Sequence, residues 1–252
     1  MNTRSCLGTL SLAGLLAFLA GCPNPQTYGT PRTLDPGKWQ VVVAAEAFGV
    51  SGDTTRTNSS GQVTTERQSF YFPNLPSAGA RVGLADRVDF GFGLKNLYSP
   101  TLDLKVNFLK TKYFDMSVDP MINYIFVAGG SNANGGTLQL FYFHVPLLLG
   151  INFSEAVSLV LTPGFVYGLA IGTGSASNAT GSFFGSAPWL RFGGGVNIRV
   201  NRKIALQPEV TMMKSFSAET ANATALFFGF GVSFLNQPDY SEDWTGKKAV
   251  DD

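Results

Sequence analysis

The feature that most constrains the fold of this chain is a period-two alternation of apolar and polar residues. In the segment LDLKVNF, residues 102–108, every second residue is apolar, and Asp103 and Lys105 stand between them. The segments VDFGFGLK, residues 88–95, and LFFGFGVSF, residues 226–234, repeat the pattern. Successive side chains of a β-strand point to opposite faces, so this period predicts strands with one apolar face. The chain is therefore predicted to be all-β after its N-terminal apolar run.

Segments with this period predict a closed antiparallel barrel of about ten strands, within a range of eight to twelve. They lie at residues 38–48, 78–85, 88–96, 100–109, 114–127, 137–151, 156–170, 187–200, 203–215 and 224–235. Short turns alternate with long loops, of which the longest are residues 49–76 and 172–186. This arrangement is typical of outer-membrane β-barrels. An even number of strands would place both chain termini on the short-turn, periplasmic side.

The two faces of the predicted strands differ in charge. The apolar face includes Phe92, Val106 and Phe192, and it carries no charge across the middle of the strands. A charge there would cost about 2–4 kcal/mol at the midplane of a bilayer. Only 14% of the residues are charged, against roughly 25% in typical soluble domains. The apolar face is therefore predicted to contact membrane lipid.

The opposite face carries five acidic and five basic residues, with glycine, serine, threonine and asparagine between them. These candidate lumen charges are Glu46, Arg81, Asp89, Lys95, Asp103, Lys105, Asp119, Arg191, Arg199 and Glu209. A barrel of this size is narrow, so side chains are expected to fill its lumen, with the glycines leaving space for the long ones. The balance of signs predicts ion pairs that largely close the lumen, because buried charges need partners.

An apolar run from Leu7 to Gly21 follows Arg4 and ends at Cys22. Its length suits the core of a secretion signal and falls short of the roughly 20 residues of a transmembrane helix. The last four residues of this stretch, LAGC, resemble the lipobox of bacterial lipoproteins. The resemblance implies that the signal is removed before Cys22 and that a diacylglycerol is attached to the cysteine sulfur. It also implies that the new amine is acylated, with palmitate as the expected fatty acid.

These observations divide the chain into a signal peptide at residues 1–21, a lipidated, proline-rich linker at 22–36, the barrel at 37–235 and a polar, loosely ordered periplasmic tail at 236–252. Removal of the signal takes away Arg4 and leaves 17 basic and 17 acidic residues, so no partner nucleic acid is expected. The lipid on Cys22 is expected to enter the periplasmic leaflet of the outer membrane, with the linker as an extended spacer.

Two stretches within the barrel resemble small porin-like outer-membrane proteins. RVGLADRVDFGFGL, residues 81–94, is similar to a strand–turn–strand unit of that family, and FHVPLLLGINF, residues 143–153, is similar to one of its strands. Both motifs are structural and contain no catalytic residue of the family. The resemblance implies a location in the bacterial outer membrane.

The only histidine, His144, is the one candidate for an acid–base role. Outer-membrane lipases and deacylases place a serine two residues after their histidine, where this chain has Pro146. A protease-like pair with Asp103 or Asp119 stays open from the sequence. One histidine and one cysteine in the mature chain do not make the usual zinc site. No catalytic, cofactor-binding or metal-binding residue is predicted.

The sequence favours a non-enzymatic, lipid-anchored outer-membrane barrel with a structural, binding or small-solute role. A small solute or an extracellular ligand would meet the loops at 49–76 and 172–186, where Gly, Ser, Thr and Asn dominate. The alternative is a lipid-anchored soluble barrel of lipocalin type, with the apolar face turned inward around an apolar ligand. A lipid-modifying outer-membrane enzyme is a third interpretation, weakened by the missing serine after His144.

Overall fold

The computed structural model describes residues 24–57, 63–128, 136–176, 179–216 and 223–245. The predicted signal peptide at 1–21 and the predicted lipidation site Cys22 lie outside these residues.

Twelve β-strands and one short helix make up the described part of the chain. The strands are β1 (Trp39–Thr57), β2 (Val63–Pro73), β3 (Ser77–Ala85), β4 (Val88–Lys95), β5 (Ser99–Lys110), β6 (Phe114–Val118), β7 (Met121–Ala128), β8 (Thr137–Asn152), β9 (Val157–Ala176), β10 (Ala179–Arg199), β11 (Ile204–Ser215) and β12 (Thr224–Leu235), and the helix is α1 (Ser241–Thr245). No helix among these residues is long and apolar enough to span a bilayer.

The sheet closes on itself because β1 pairs with β12 from Gln40 to Ser51. β2 and β3 form one interrupted wall strand beside β1, and β6 and β7 form another between β5 and β8. With each interrupted pair taken as one, the twelve strands make a closed antiparallel barrel of ten. The prediction of an all-β antiparallel barrel with about ten strands is confirmed.

Two segments expected to be long loops are largely strands. β1 remains paired with β2 up to Thr57, and β9 remains paired with β10 up to Ala176. The prediction of loops at 49–76 and 172–186 is therefore wrong for most of their length. The backbone hydrogen bonds of a hairpin need no apolar face, and threonine suits strands, so a search for apolar alternation misses such extensions.

The outer face of the barrel is apolar. Phe92 and Phe192 both point outward and are 42% and 54% exposed. The outward side chains of β3, β4, β5, β8 and β12 include no charged residue. A lipocalin-type barrel would need this apolar face inside, so the geometry is opposite to that alternative.

The inner face has two zones. Near the ends of the long hairpins the inner face carries a buried apolar cluster, formed by Phe48, Ile125, Leu140, Tyr142, Val166, Trp189, Met213, Ala225 and Phe227. Nearer to the short turns the inner face is charged and polar. The apolar zone at the hairpin end, called the upper end below, was not expected from the sequence, which predicted a polar lumen throughout.

Candidate functional site: the filled lumen

The N-terminal segment lies inside the barrel. Residues 24–36, called the plug below, run through the lumen, and Asn24, Arg32 and Leu34 are each 2% exposed. The extended spacer expected for residues 22–36 is therefore not found in the part that the structure describes. The charged groups of the lumen wall need hydrogen-bond partners when they are buried, and the polar plug supplies them.

Two predicted lumen carboxylates hold the upper part of the plug. The carboxylate of Glu209 accepts hydrogen bonds from the backbone N–H groups of Thr27 and Tyr28, at 3.2 and 2.9 Å. Glu46 accepts one from the Tyr28 hydroxyl at 2.9 Å and another from the side-chain amide of Asn24. Both acids are thus partners of the plug.

Two predicted lumen lysines bind the plug through its backbone. Lys105 donates to the carbonyl oxygens of Thr30 and Arg32, at 3.1 and 2.8 Å, and its ammonium group lies 3.1 Å from the Asp89 carboxylate. Lys95 donates to the carbonyl oxygen of Gln26, also in the plug, at 2.5 Å. The plug has no regular secondary structure to supply hydrogen bonds to its backbone carbonyl groups. Wall lysines donate those hydrogen bonds instead.

Glycines of the wall make room for the plug. At Gly231 a Cβ atom would lie 2.6 Å from the ring of Tyr28, and at Gly83 it would lie 2.3 Å from the carbonyl oxygen of Asp35. No larger residue fits these positions while the plug is in place. The expectation that lumen glycines leave space for long charged side chains holds at Gly91, where a Cβ would meet the Asp103 carboxylate.

Arg32 holds the lower end of the plug. Its Nε donates to the Asp115 carboxylate at 2.9 Å, its Nη2 donates to the Thr111 carbonyl at 2.7 Å, and its Nη1 pairs with Asp243 at 2.5 Å. The Arg32 and Asp115 side chains are 2% and 0% exposed. This is a fully buried ion pair between the plug and the wall.

The C-terminal segment closes the short-turn end of the lumen. Tyr240 is buried, and the guanidinium carbons of Arg32 and Arg199 lie 3.9 and 3.7 Å from its ring centroid. Burial raises the pKa of the Tyr240 hydroxyl. The loosely ordered tail predicted for 236–252 is instead packed against the barrel as far as Thr245; the last seven residues lie outside the described part.

All ten predicted lumen charges point into the barrel. Arg81 bridges two acids of the wall, with its Nη2 at 2.5 Å from Asp103 and 3.2 Å from Asp119. Arg191 donates to the Thr162 hydroxyl at 3.1 Å, while its Nε and Nη1 have no hydrogen-bond partner among the described residues. Wall-to-wall pairing therefore accounts for only part of the charge that the lumen buries.

Three charged residues of this network, Arg32, Asp115 and Asp243, were absent from the predicted set. Asp115 has the same strand parity as Asp119, four residues later along one interrupted strand, and that parity was the available signal. Arg32 offered no such signal, because the segment around it has no period.

His144 also points into the lumen and is 1% exposed. Neither of its ring nitrogens has a hydrogen-bond partner in the described part of the chain, and both Asp103 and Asp119 contact Arg81. The protease-like pair left open by the sequence is therefore not formed. Among the described residues no group of three or more His, Cys, Asp or Glu side chains is placed to hold a metal ion.

Fold and lumen together define a closed ten-stranded β-barrel whose own N-terminal segment is buried inside it. No family model and no curated protein matches the chain. Among solved structures, it is similar to the outer membrane protease OmpT of Escherichia coli, with 7% identity, a TM-score of 0.47, and 81% of this chain and 99% of that chain covered.

Two further structures show similar coverage. Ail, the attachment invasion locus protein of Yersinia pestis, solved in complex with the heparin analogue sucrose octasulfate, is 11% identical over 79% of this chain and 98% of that one, with a TM-score of 0.41. The Neisserial surface protein A is 12% identical over 77% and 96%, with a TM-score of 0.35. None of these likenesses is high enough for a ligand or an activity to carry over.

Proposed function

We propose that this chain is a lipid-anchored barrel of the bacterial outer membrane, closed by its own plug, with a non-enzymatic structural or binding role. The observation that carries the proposal is the plug: a barrel with an apolar outer face, inside which residues of the plug such as Asn24, Arg32 and Leu34 are buried. An apolar outer face suits hydrocarbon, and a closed barrel has no unpaired strand edge to expose to lipid.

The plug argues against an open pore. Its partners lie on strands from different sides of the barrel, since Glu46 is on β1, Lys105 on β5 and Glu209 on β11. Water-filled passage would require these buried groups to give up their partners together, at a cost of several kcal/mol for the charged ones. Small-solute transport is therefore the weaker part of the original expectation, and a binding or structural role is favoured.

A binding role would use the two long hairpins in place of the loops first expected. The β1–β2 and β9–β10 hairpins run well beyond the turn between β4 and β5. Tyr71 and Phe184, one on each hairpin, are 72% and 70% exposed. Exposed aromatic residues on paired strands suit contact with a partner surface or with the lipid interface.

Conductance in planar bilayers tests the closed lumen. The unmodified protein is expected to show no steady conductance. Gly231→Leu would collide with the Tyr28 ring, displace the plug and open a steady current. Gly194→Leu is the matched control, because Gly194 faces outward and the nearest side chain would lie 3.5 Å from its Cβ. A large steady current through the unmodified protein would overturn the closed lumen. Mass spectrometry of the mature N-terminus tests the lipid separately.

A further inference from the structure

The plug runs from the short-turn end of the barrel towards the hairpin end. At its lower end, the backbone N–H of Gly37 donates to the carbonyl of Gly83 at 2.8 Å, next to the turn after β3. At its upper end, the side-chain amide of Asn24 lies 3.3 Å from both the Ser77 hydroxyl and the Asn96 side-chain oxygen. Ser77 begins β3 and Asn96 follows β4. Asn24 therefore lies at the opposite end of this wall from Gly37.

The wall beside Asn24 is low. β4 ends at Lys95 and β5 begins at Ser99, so residues 96–98 form the top of the wall there; we call them the low rim. The neighbouring wall strand continues upward as β2, and its outward residue Tyr71 pairs with Gly49 of β1, whereas Ser77 pairs with Ala44. The five residues of β1 between these two levels span about 17 Å. The low rim therefore lies below the top of the apolar outer face.

The exposed residues of the low rim, Leu97 and Tyr98, carry apolar or aromatic side chains, and the backbone of its turn is strained. Asn96 and Leu97 have φ angles of 56° and 61°, and the Tyr98 N–H donates to the Lys95 carbonyl at 3.3 Å. Two central residues with positive φ define a tight hairpin turn in which glycine normally takes the second place. Leucine stands there instead, and its side chain is 52% exposed. Strain of this kind that persists in a fold is a pointer to function.

We propose that the acyl chains on Cys22 leave the lumen over the low rim and lie in the outer leaflet against Leu97 and Tyr98. This rests on the proposed lipid anchoring of Cys22. One residue, Pro23, stands between Cys22 and Asn24, so their Cα atoms are at most about 7.6 Å apart. The periplasmic leaflet expected from the sequence lies at the other end of the plug, and an anchor there would require Asn24 and the rest of the plug to withdraw from the barrel.

Photocross-linking through the lipid itself tests this position. Cells would be grown with a diazirine-bearing fatty acid, irradiated, and the purified full chain digested with trypsin. Cleavage at Arg32 releases the anchor as peptide 22–32, and cleavage at Lys95 and Lys105 releases the low rim as peptide 96–105. Only products containing peptide 22–32 are counted, because free membrane lipids also carry the label.

The expected product joins peptide 22–32 to peptide 96–105, at Leu97 or Tyr98. Peptide 106–110 is the internal control, because it contains the outward Phe108 near the short turns. Cross-links to 106–110 in place of 96–105 would place the anchor in the periplasmic leaflet and overturn the proposal. A peptide 22–32 without acyl mass would overturn the lipid anchor, and with it the proposal, while leaving the closed lumen untouched.

A thiol cross-linking trap tests the path of the chain independently of the lipid. The double variant Asn24→Cys and Asn96→Cys is expected to be joined by a short bismaleimide in intact outer membranes, because the native side-chain amides are within hydrogen-bond distance, which leaves the two Cβ atoms too far apart for a direct disulfide. The pair Asn24→Cys and Asp86→Cys, with Asp86 in the turn at the short-turn end, should not cross-link. Cross-linking of the Asn24–Asp86 pair without cross-linking of the Asn24–Asn96 pair would show that the plug is withdrawn in the membrane and would overturn the proposal.

Discussion

Replacing Arg32 by methionine removes the cation that joins the plug to Asp115 of the wall and to Asp243 of the C-terminal segment. The change keeps the length and much of the packing of the side chain but leaves the buried Asp115 carboxylate without its cation. Breaking one side of a buried ion pair typically costs about 3–5 kcal/mol, because an uncompensated charge stays buried. Here Asp115 keeps two hydrogen bonds, from the Asn152 side chain at 2.7 Å and the Thr111 N–H at 3.0 Å. We therefore expect a loss near the lower end, about 3 kcal/mol.

Equilibrium unfolding in urea, with the barrel in detergent micelles, measures this loss as a shift in the midpoint at constant slope. Arg87→Met is the matched control, because Arg87 is 49% exposed and its nearest carboxylate contact is 3.9 Å. Exposed pairs contribute about 0–1 kcal/mol, so the control should barely move the midpoint. An Arg32→Met loss no larger than that of the control would refute the burial of this pair and the seating of the lower plug.

Two further changes probe the outer face and the lower closure. Phe192→Arg puts a charge into hydrocarbon at a cost of about 2–4 kcal/mol and should abolish assembly as judged by heat-modifiable migration, whereas Phe192→Leu should assemble; normal assembly of the arginine variant would contradict a lipid-facing Phe192. Tyr240→Ala removes the ring on which Arg32 and Arg199 lie, so the C-terminal segment should be cut faster in limited proteolysis. The exposed Tyr71→Ala change should leave that rate unaltered.

The barrel could be predicted from the sequence because strands leave a period in it. The outward apolar residues of β4 from Val88 to Leu94 alternate with inward residues such as Asp89 and Lys95, and contact of one face with lipid, as we propose, would force that alternation. The ten wall strands follow from it. The two long hairpins do not, because the paired backbones of a hairpin need no continuous apolar face.

The plug could not be predicted in the same way. Residues 24–36 have four polar or charged side chains buried in the lumen, Asn24, Gln26, Thr30 and Arg32, and no period. A segment surrounded by wall on all sides has no apolar side and no water side, so burial leaves no pattern along it. By composition alone such a segment is indistinguishable from a proline-rich spacer.

The balance of five acids and five bases on the wall therefore has a second cause besides the ion pairing first inferred. Ion pairing across the wall joins Arg81 to two acids, and Lys105 to Asp89. Glu46 and Glu209 accept hydrogen bonds from donors of the plug, while Lys95 and Lys105 donate hydrogen bonds to its carbonyl groups. A peptide backbone carries both donors and acceptors, so a wall that binds one along its length needs both signs. Charge balance in a narrow barrel can thus indicate a bound chain as well as internal ion pairs.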